Sequence, residues 1–172
     1  MSLTTNVKKA VRKVEKAVTG TEPEVDLLDT LKEEHEEVGA LLKKLTESAS
    51  SKERRSLVGQ IKAALVSHSK AEQKVLYDAI IAVKDRQAQK DGTEGYIEHA
   101  LVSKTLTDLD KITDTNSVEF AATAKVLREL IEHHVKEEES AVWTDAKRHF
   151  SAEQRQSMNR RYLAEKGKVR VN

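Results

Sequence analysis

From residue 24 onward, apolar residues return every three or four positions, the period of a helix with one buried face. Leu27, Leu28, Leu31, Val38, Leu41, Leu42 and Leu45 predict a helix over about 24–48. Leu57, Val58, Ile61, Ala64, Leu65, Val75, Leu76, Ile80 and Val83 predict a second over about 53–84. Val102, Leu106, Leu109 and Ile112 predict a third over about 94–113, and Phe120, Ala124, Leu127, Leu130, Ile131, Val135, Ala141 and Val142 a fourth over about 117–146. The breaks are polar: 48–52, a stretch near Asp91-Gly92-Thr93-Glu94-Gly95, and 113–117. Short connections make neighbouring helices antiparallel. The pattern therefore predicts an all-α, up-down-up-down four-helix bundle.

Both ends add to this plan. Val7, Ala10, Val11, Val14, Ala17 and Val18 recur at helical spacing among Lys8, Lys9, Arg12, Lys13 and Lys16. Residues 5–18 thus read either as a short basic amphipathic helix for a membrane surface or an acidic partner, or as a solvated extension, which is the simpler reading. Thr21 with Glu24 offers a capping box, and Pro23 suits a first helical turn. Ser151 with Gln154 offers another box and starts a fifth helix, which Met158, Tyr162 and Leu163 would pack onto the bundle. The expected organisation is a basic extension over 1–22, the bundle over 23–150, and a C-terminal helix with a basic tail over 151–172.

Composition narrows the chemistry. The 172 residues include no cysteine, which removes disulfides, thiolate ligands and cysteine nucleophiles. Lys plus Arg (30) nearly balances Asp plus Glu (29), so the chain has no overall bias toward nucleic acid. No stretch nears the ~18 consecutive apolar residues of a membrane span, and the N-terminus lacks the apolar run of a secretory signal. A cytoplasmic location is expected.

His35, His68, His99 and His134 fall on the apolar stripes, one in each predicted helix. Glu72 and Glu138 join them, each four residues after a stripe histidine. A carboxylate left alone in an apolar core costs several kcal/mol or stays protonated. Residues four apart share a helical face, so His68 with Glu72, and His134 with Glu138, can address one centre. A cation would offset the buried charge and use the imidazole lone pairs. A single buried histidine is ordinarily a hydrogen-bonded core residue. Four of them with two glutamates at matching heights point instead to metal. For the heights to match across the second break, the turn should fall nearer 84–87. The donor set is too large for one tetrahedral zinc and too rich in nitrogen for calcium or magnesium. It suits two first-row ions bridged by carboxylates, iron ahead of manganese or a mixed pair. The Glu-x-x-His pattern of ferritin-like bundles is absent here.

These motifs resemble the hemerythrin-like HHE cation-binding domains. Asp26-Leu27-Leu28-Asp29-Thr30-Leu31-Lys32-Glu33-Glu34-His35 is similar to that family's first-helix signature, and His68-Ser69-Lys70-Ala71-Glu72 with Val75-Leu76-Tyr77 to its second. Glu98-His99 resembles the third, and the stretch from His134 to Trp143 the fourth, so the likeness covers about 25–165 in order. The resemblance implies His35, His68, His99 and His134 as terminal ligands and Glu72 and Glu138 as bridges. It also implies an oxo- or carboxylate-bridged diiron centre that meets dioxygen, nitric oxide or peroxide. Two positions depart from the oxygen carriers. Ser103 stands where they place a second third-helix histidine, and their last carboxylate falls five residues after the final histidine, where Glu139 stands here. Water, Tyr77, Tyr96, Glu98 or Glu139 is left to complete the coordination. An open site points to gas sensing or stress response, catalase-like peroxide turnover, or iron sequestration, rather than to reversible oxygen carriage. His133 and His149 are expected at the surface, and Tyr77 and Tyr96 in the core.

Overall fold

The computed structural model describes residues 24–171. The expectations for residues 1–22, including the cap at Thr21, lie outside that range. Among the described residues all regular structure is helical, and no strand is present. Helix α1 is Leu27–Glu47. Helix α2, Ser51–Glu72, continues through a π turn, Gln73–Tyr77, into α3, Asp78–Ala82. Helix α4 is Arg86–Lys111. Helix α5, Val118–Glu137, likewise continues through a π turn, Glu138–Val142, into α6, Trp143–His149. Helix α7 is Ala152–Lys168.

Side-chain oxygens satisfy backbone N–H groups left over at each free start. Asp26 accepts from Leu28 N, Ser50 from Glu53 N, Asp85 from Gln87 N and Ala88 N, and Ser117 from Phe120 N. The box expected at Ser151 with Gln154 is formed on both sides. Helix α1 packs on α2 and α5, and α4 packs on the same two, a ring of contacts compatible with an up-down-up-down course. Helix α7 lies on α1 and α2. No helix among the described residues is long and apolar enough to cross a membrane.

The apolar core falls into two clusters. One, around Leu31, Leu76, Trp143 and Tyr162, sits where α7 joins the bundle. The other, around Leu42, Ile61, Leu109 and Leu127, fills the opposite end. Between them lie the buried polar side chains His35, His68, Glu72, His99, His134 and Glu138.

The third helix departs from its predicted start. The break expected near Asp91–Gly95 is helical, and the turn falls at 83–85 instead, close to where matching heights required it. The glycines there serve close packing, not chain reversal. A Cβ on Gly92 would stand 3.0 Å from Ile81, and one on Gly95 would stand 2.6 Å from the Tyr77 ring. Both glycines are buried.

The π turns have a geometric effect of their own. Each widens the helix by one residue at a point directly after an inward carboxylate. Glu72 and Tyr77, five residues apart, are thereby brought toward one face, and Val75 and Leu76 between them are buried as well, where α4 and α7 also pack on the turn.

These packing relations give opposite expectations for two glycines. Gly95→Ala is expected to lower the unfolding free energy by about 1–3 kcal/mol through overpacking against Tyr77. Gly39→Ala, on an exposed face of α1 with open space around it, is expected to raise it by up to about 1 kcal/mol. Urea unfolding of the two variants checks both signs.

Candidate metal centre

The six side chains on the inner stripes meet in one layer. Ligand atoms of His35, His68 and Glu72 lie within 4.8 Å of one another, and so do those of Glu72, His99 and His134. Glu72 belongs to both groups. Glu138 also spans them, its Oε2 lying 3.2 Å from His134 Nε2 and 3.7 Å from His35 Nε2. Glu72 Oε2 lies 3.2 Å from His68 Nε2 and 3.3 Å from His99 Nε2. His99 Nε2 and His134 Nε2 face each other at 3.1 Å.

The outward nitrogens explain this convergence. His35 Nδ1 lies 3.1 Å from Glu139, His68 Nδ1 3.0 Å from Glu34, and His134 Nδ1 2.7 Å from Glu98. A carboxylate can only accept, so each Nδ1 carries its hydrogen, and Nε2 is the atom left to face inward and offer a lone pair to a metal. His35 Nε2 and both oxygens of Glu72 are buried without a hydrogen-bond partner. Buried polar atoms are seldom left so. Here they share one focus with opposed imidazole nitrogens, and a pair of cations would satisfy all of them. The donor set therefore fits a metal centre.

Residues beyond the predicted set complete the surroundings. Trp143 Nε1 donates to Glu138 Oε1 (3.2 Å) and Tyr77 OH donates to Glu138 Oε2 (3.3 Å). Tyr77 and Trp143 each stand five residues after an inward glutamate, the spacing that the π turn brings onto one face. Tyr96 faces away from the centre, its OH donating to Asp78 Oδ1 (2.6 Å). Glu98 and Glu139 hold histidines from outside and do not enter the inner layer. His133 is exposed as expected, near Glu98, whereas His149 is half-buried and lies 3.4 Å from Asp85. Glu34, Tyr162 and Lys166 were not singled out for chemistry by the sequence, yet they form a linked group on His68. On the side of the second core cluster, a cavity of about 20 Å³ touches His35, His68, His99 and His134 and is otherwise walled largely by Val38, Leu65, Val102 and Ile131. That is about the space one water occupies.

A family model, the hemerythrin HHE cation-binding domain, matches residues 26–146. The chain belongs to this family. It is also similar, at 26% identity over 146 residues, to a DNA nickase of Nostoc sp. strain PCC 7120. That match covers 85% of this chain but 40% of the relative, so the chain spans well under half of that protein's length. No solved structure matches it significantly. Where oxygen-carrying hemerythrins have a second third-helix histidine, Ser103 is exposed and offers no ligand to the layer. Glu139, at their carboxylate position, holds His35 from outside while Glu138 takes the inner place.

Without metal, protons do part of the neutralising. Burial disfavours a charged His68, but Glu72 and Glu34 on either side outweigh it and raise its pKa to about 10. Burial opposes charge on His134 too, and Glu138 and Glu98 raise its pKa to about 9. Burial would lift Glu72, yet the adjacent His68 and His99 hold it well below the usual carboxylate range. For His99, burial prevails and lowers the pKa.

The linkage follows in sign. A histidine raised from 6.5 contributes stability that is complete below pH 6.5 and fades as pH rises through about 9 or 10. The slope is roughly 1.4 kcal/mol per pH unit for each such group. Metal must displace those same protons, so its affinity rises with pH. From pH 6.5 to 8.5 the melting temperature with chelator is expected to fall, while the increment from added Co(II) grows. Thermal melts across that range check this, and a Co(II) increment independent of pH would contradict it.

Proposed function

We propose that this chain is a non-haem diiron protein, an up-down-up-down bundle that holds two iron ions and meets a small oxidant or gas in sensing or stress response. The observation that carries the reading is the convergence of four imidazole nitrogens on two buried carboxylates, with His35 Nε2 and both oxygens of Glu72 left without a hydrogen-bond partner. His35 and His68 would serve one ion and His99 and His134 the other, with Glu72 and Glu138 between them. Iron there would supply one-electron redox chemistry and open coordination positions.

The chain's own residues would shape what happens at those positions. Tyr77 and Trp143 fix Glu138 through its two oxygens. Burial, with Glu138 close by, keeps the Tyr77 hydroxyl protonated and able to donate. Val38, Leu65, Val102 and Ile131 keep the adjoining cavity small and largely apolar, which favours dioxygen, nitric oxide or peroxide over an organic substrate.

A second reading, peroxide decomposition, draws on a polar pocket of about 230 Å³ that reaches Tyr77, His134 and Glu138 past Lys90 and Glu98. Cleavage of DNA, suggested by the name of the Nostoc relative, has less support: a phosphodiester does not fit a cavity of that size, and the net charge is +1. Iron sequestration without turnover would use the same ligands and show no oxidant chemistry.

Metal analysis of protein produced with iron is expected to find about two irons per chain. It should have the near-ultraviolet absorption of a bridged diferric pair, lost in His134→Ala. The anaerobic reduced protein is expected to gain a new visible band with nitric oxide. Peroxide that yields oxygen faster than with free iron would favour the enzyme reading. A wild-type protein that binds no more iron than His134→Ala would remove the diiron reading altogether.

A further inference from the structure

Among the outer carboxylates, Glu34 is the one anchored by the C-terminal helix. Its Oε2 accepts from Tyr162 OH at 2.7 Å and from Lys166 Nζ at 2.6 Å, both on α7. The same oxygen lies 3.0 Å from His68 Nδ1, and Tyr162 OH itself stands 3.1 Å from that nitrogen. Tyr162 is fully buried. Glu98 and Glu139, by contrast, hold His134 and His35 from α4 and from the π turn after α5.

We infer that Tyr162 is a positioning residue of the metal centre, and that metal loading and the docking of α7 are linked equilibria. This rests on the reading that the inner histidines and glutamates hold metal. With Tyr162 and Lys166 in place, the Glu34 carboxylate is fixed on the Nδ1 side of His68. The imidazole then donates from Nδ1 and presents its Nε2 lone pair to the layer. When α7 is undocked, Glu34 loses two donors and its long side chain can turn to water, so the ring is no longer held in one tautomer. Linkage is reciprocal. A metal that requires His68 in this orientation stabilises the docked helix by as much as the docked helix strengthens the metal.

The coupling is local, because Tyr162 reaches the group of His35, His68 and Glu72 and not the group of His99 and His134. Outer partners of metal-bound histidines are typically worth 10–100-fold in affinity. One of two binding steps should carry the effect.

The test uses the full-length protein with Co(II) as probe. In Tyr162→Phe, which keeps the ring and its packing, one Co(II) step is expected to weaken by about 10–100-fold, and the other to stay within about threefold. In the wild type, hydrogen exchange of amides in 158–168 is expected to slow on Co(II) loading by more than that of amides in 104–111. The variant should show less of this difference. A purely structural role for Tyr162 would lower the melting temperature of the metal-free protein and leave both Co(II) constants unchanged, which overturns the inference. Equal exchange of α7 with and without Co(II) in the wild type also overturns it, whether or not the variant folds. A wild type that takes up no Co(II) refutes the metal centre itself and this inference with it.

Discussion

Two carboxylates in the middle of an apolar seam set the terms for the whole bundle. Glu72 is wholly buried and Glu138 almost so, and charge in such a place must be balanced within a few ångströms. The balance reaches the layer from all four long helices. Imidazoles stand beside the carboxylates, and a further ring of carboxylates holds three of those imidazoles by their outer nitrogens. Each outer carboxylate keeps some contact with water, which spreads the cost of burial over several partly solvated groups. The two apolar clusters are what remains of a core once this polar layer has been driven through it.

The periodicity of leucine, valine and isoleucine was sufficient for the helices, because a long amphipathic stripe has few competing explanations. The inner histidines and glutamates were legible for the same reason: they occupy stripe positions that apolar residues should hold. Gly92 and Gly95 misled, since a glycine that ends a helix and one that admits a neighbouring ring look identical in sequence. Only the approach of Tyr77 distinguishes them. The outer residues were illegible in another way. Glu34 sits one position before an inner histidine, where charge ordinarily faces water, and its bond to His68 crosses from α1 to α2. Tyr162 read as packing because its ring does pack, and nothing local indicates where its hydroxyl ends.

The surroundings of the layer are unlike on its two sides. Toward the end where α7 docks, Tyr77 and Trp143 donate to Glu138, and Tyr162 donates to Glu34. Toward the other end there is a small cavity between largely aliphatic walls. Hydrogen bonds to Glu138 thus come from one side and the small cavity lies on the other, while the larger polar pocket past Lys90 reaches Glu138 itself. A small molecule arriving through the aliphatic side would meet the layer without disturbing the donors that hold Glu138.

The π turns also bear on how this chain can change over generations. An ordinary surface helix can lose a residue at its end with little consequence. A deletion inside Gln73–Tyr77 or Glu138–Val142 would let the coil return to regular pitch with Tyr77 or Trp143 four residues after its glutamate, still on the same face. A deletion in the regular helix between His68 and Glu72, or between His134 and Glu138, has no such slack and would swing one member of the pair by about 100°. Tolerance for the loss of a single residue should therefore be sought in the π turns and the connecting turns, and not between the paired side chains.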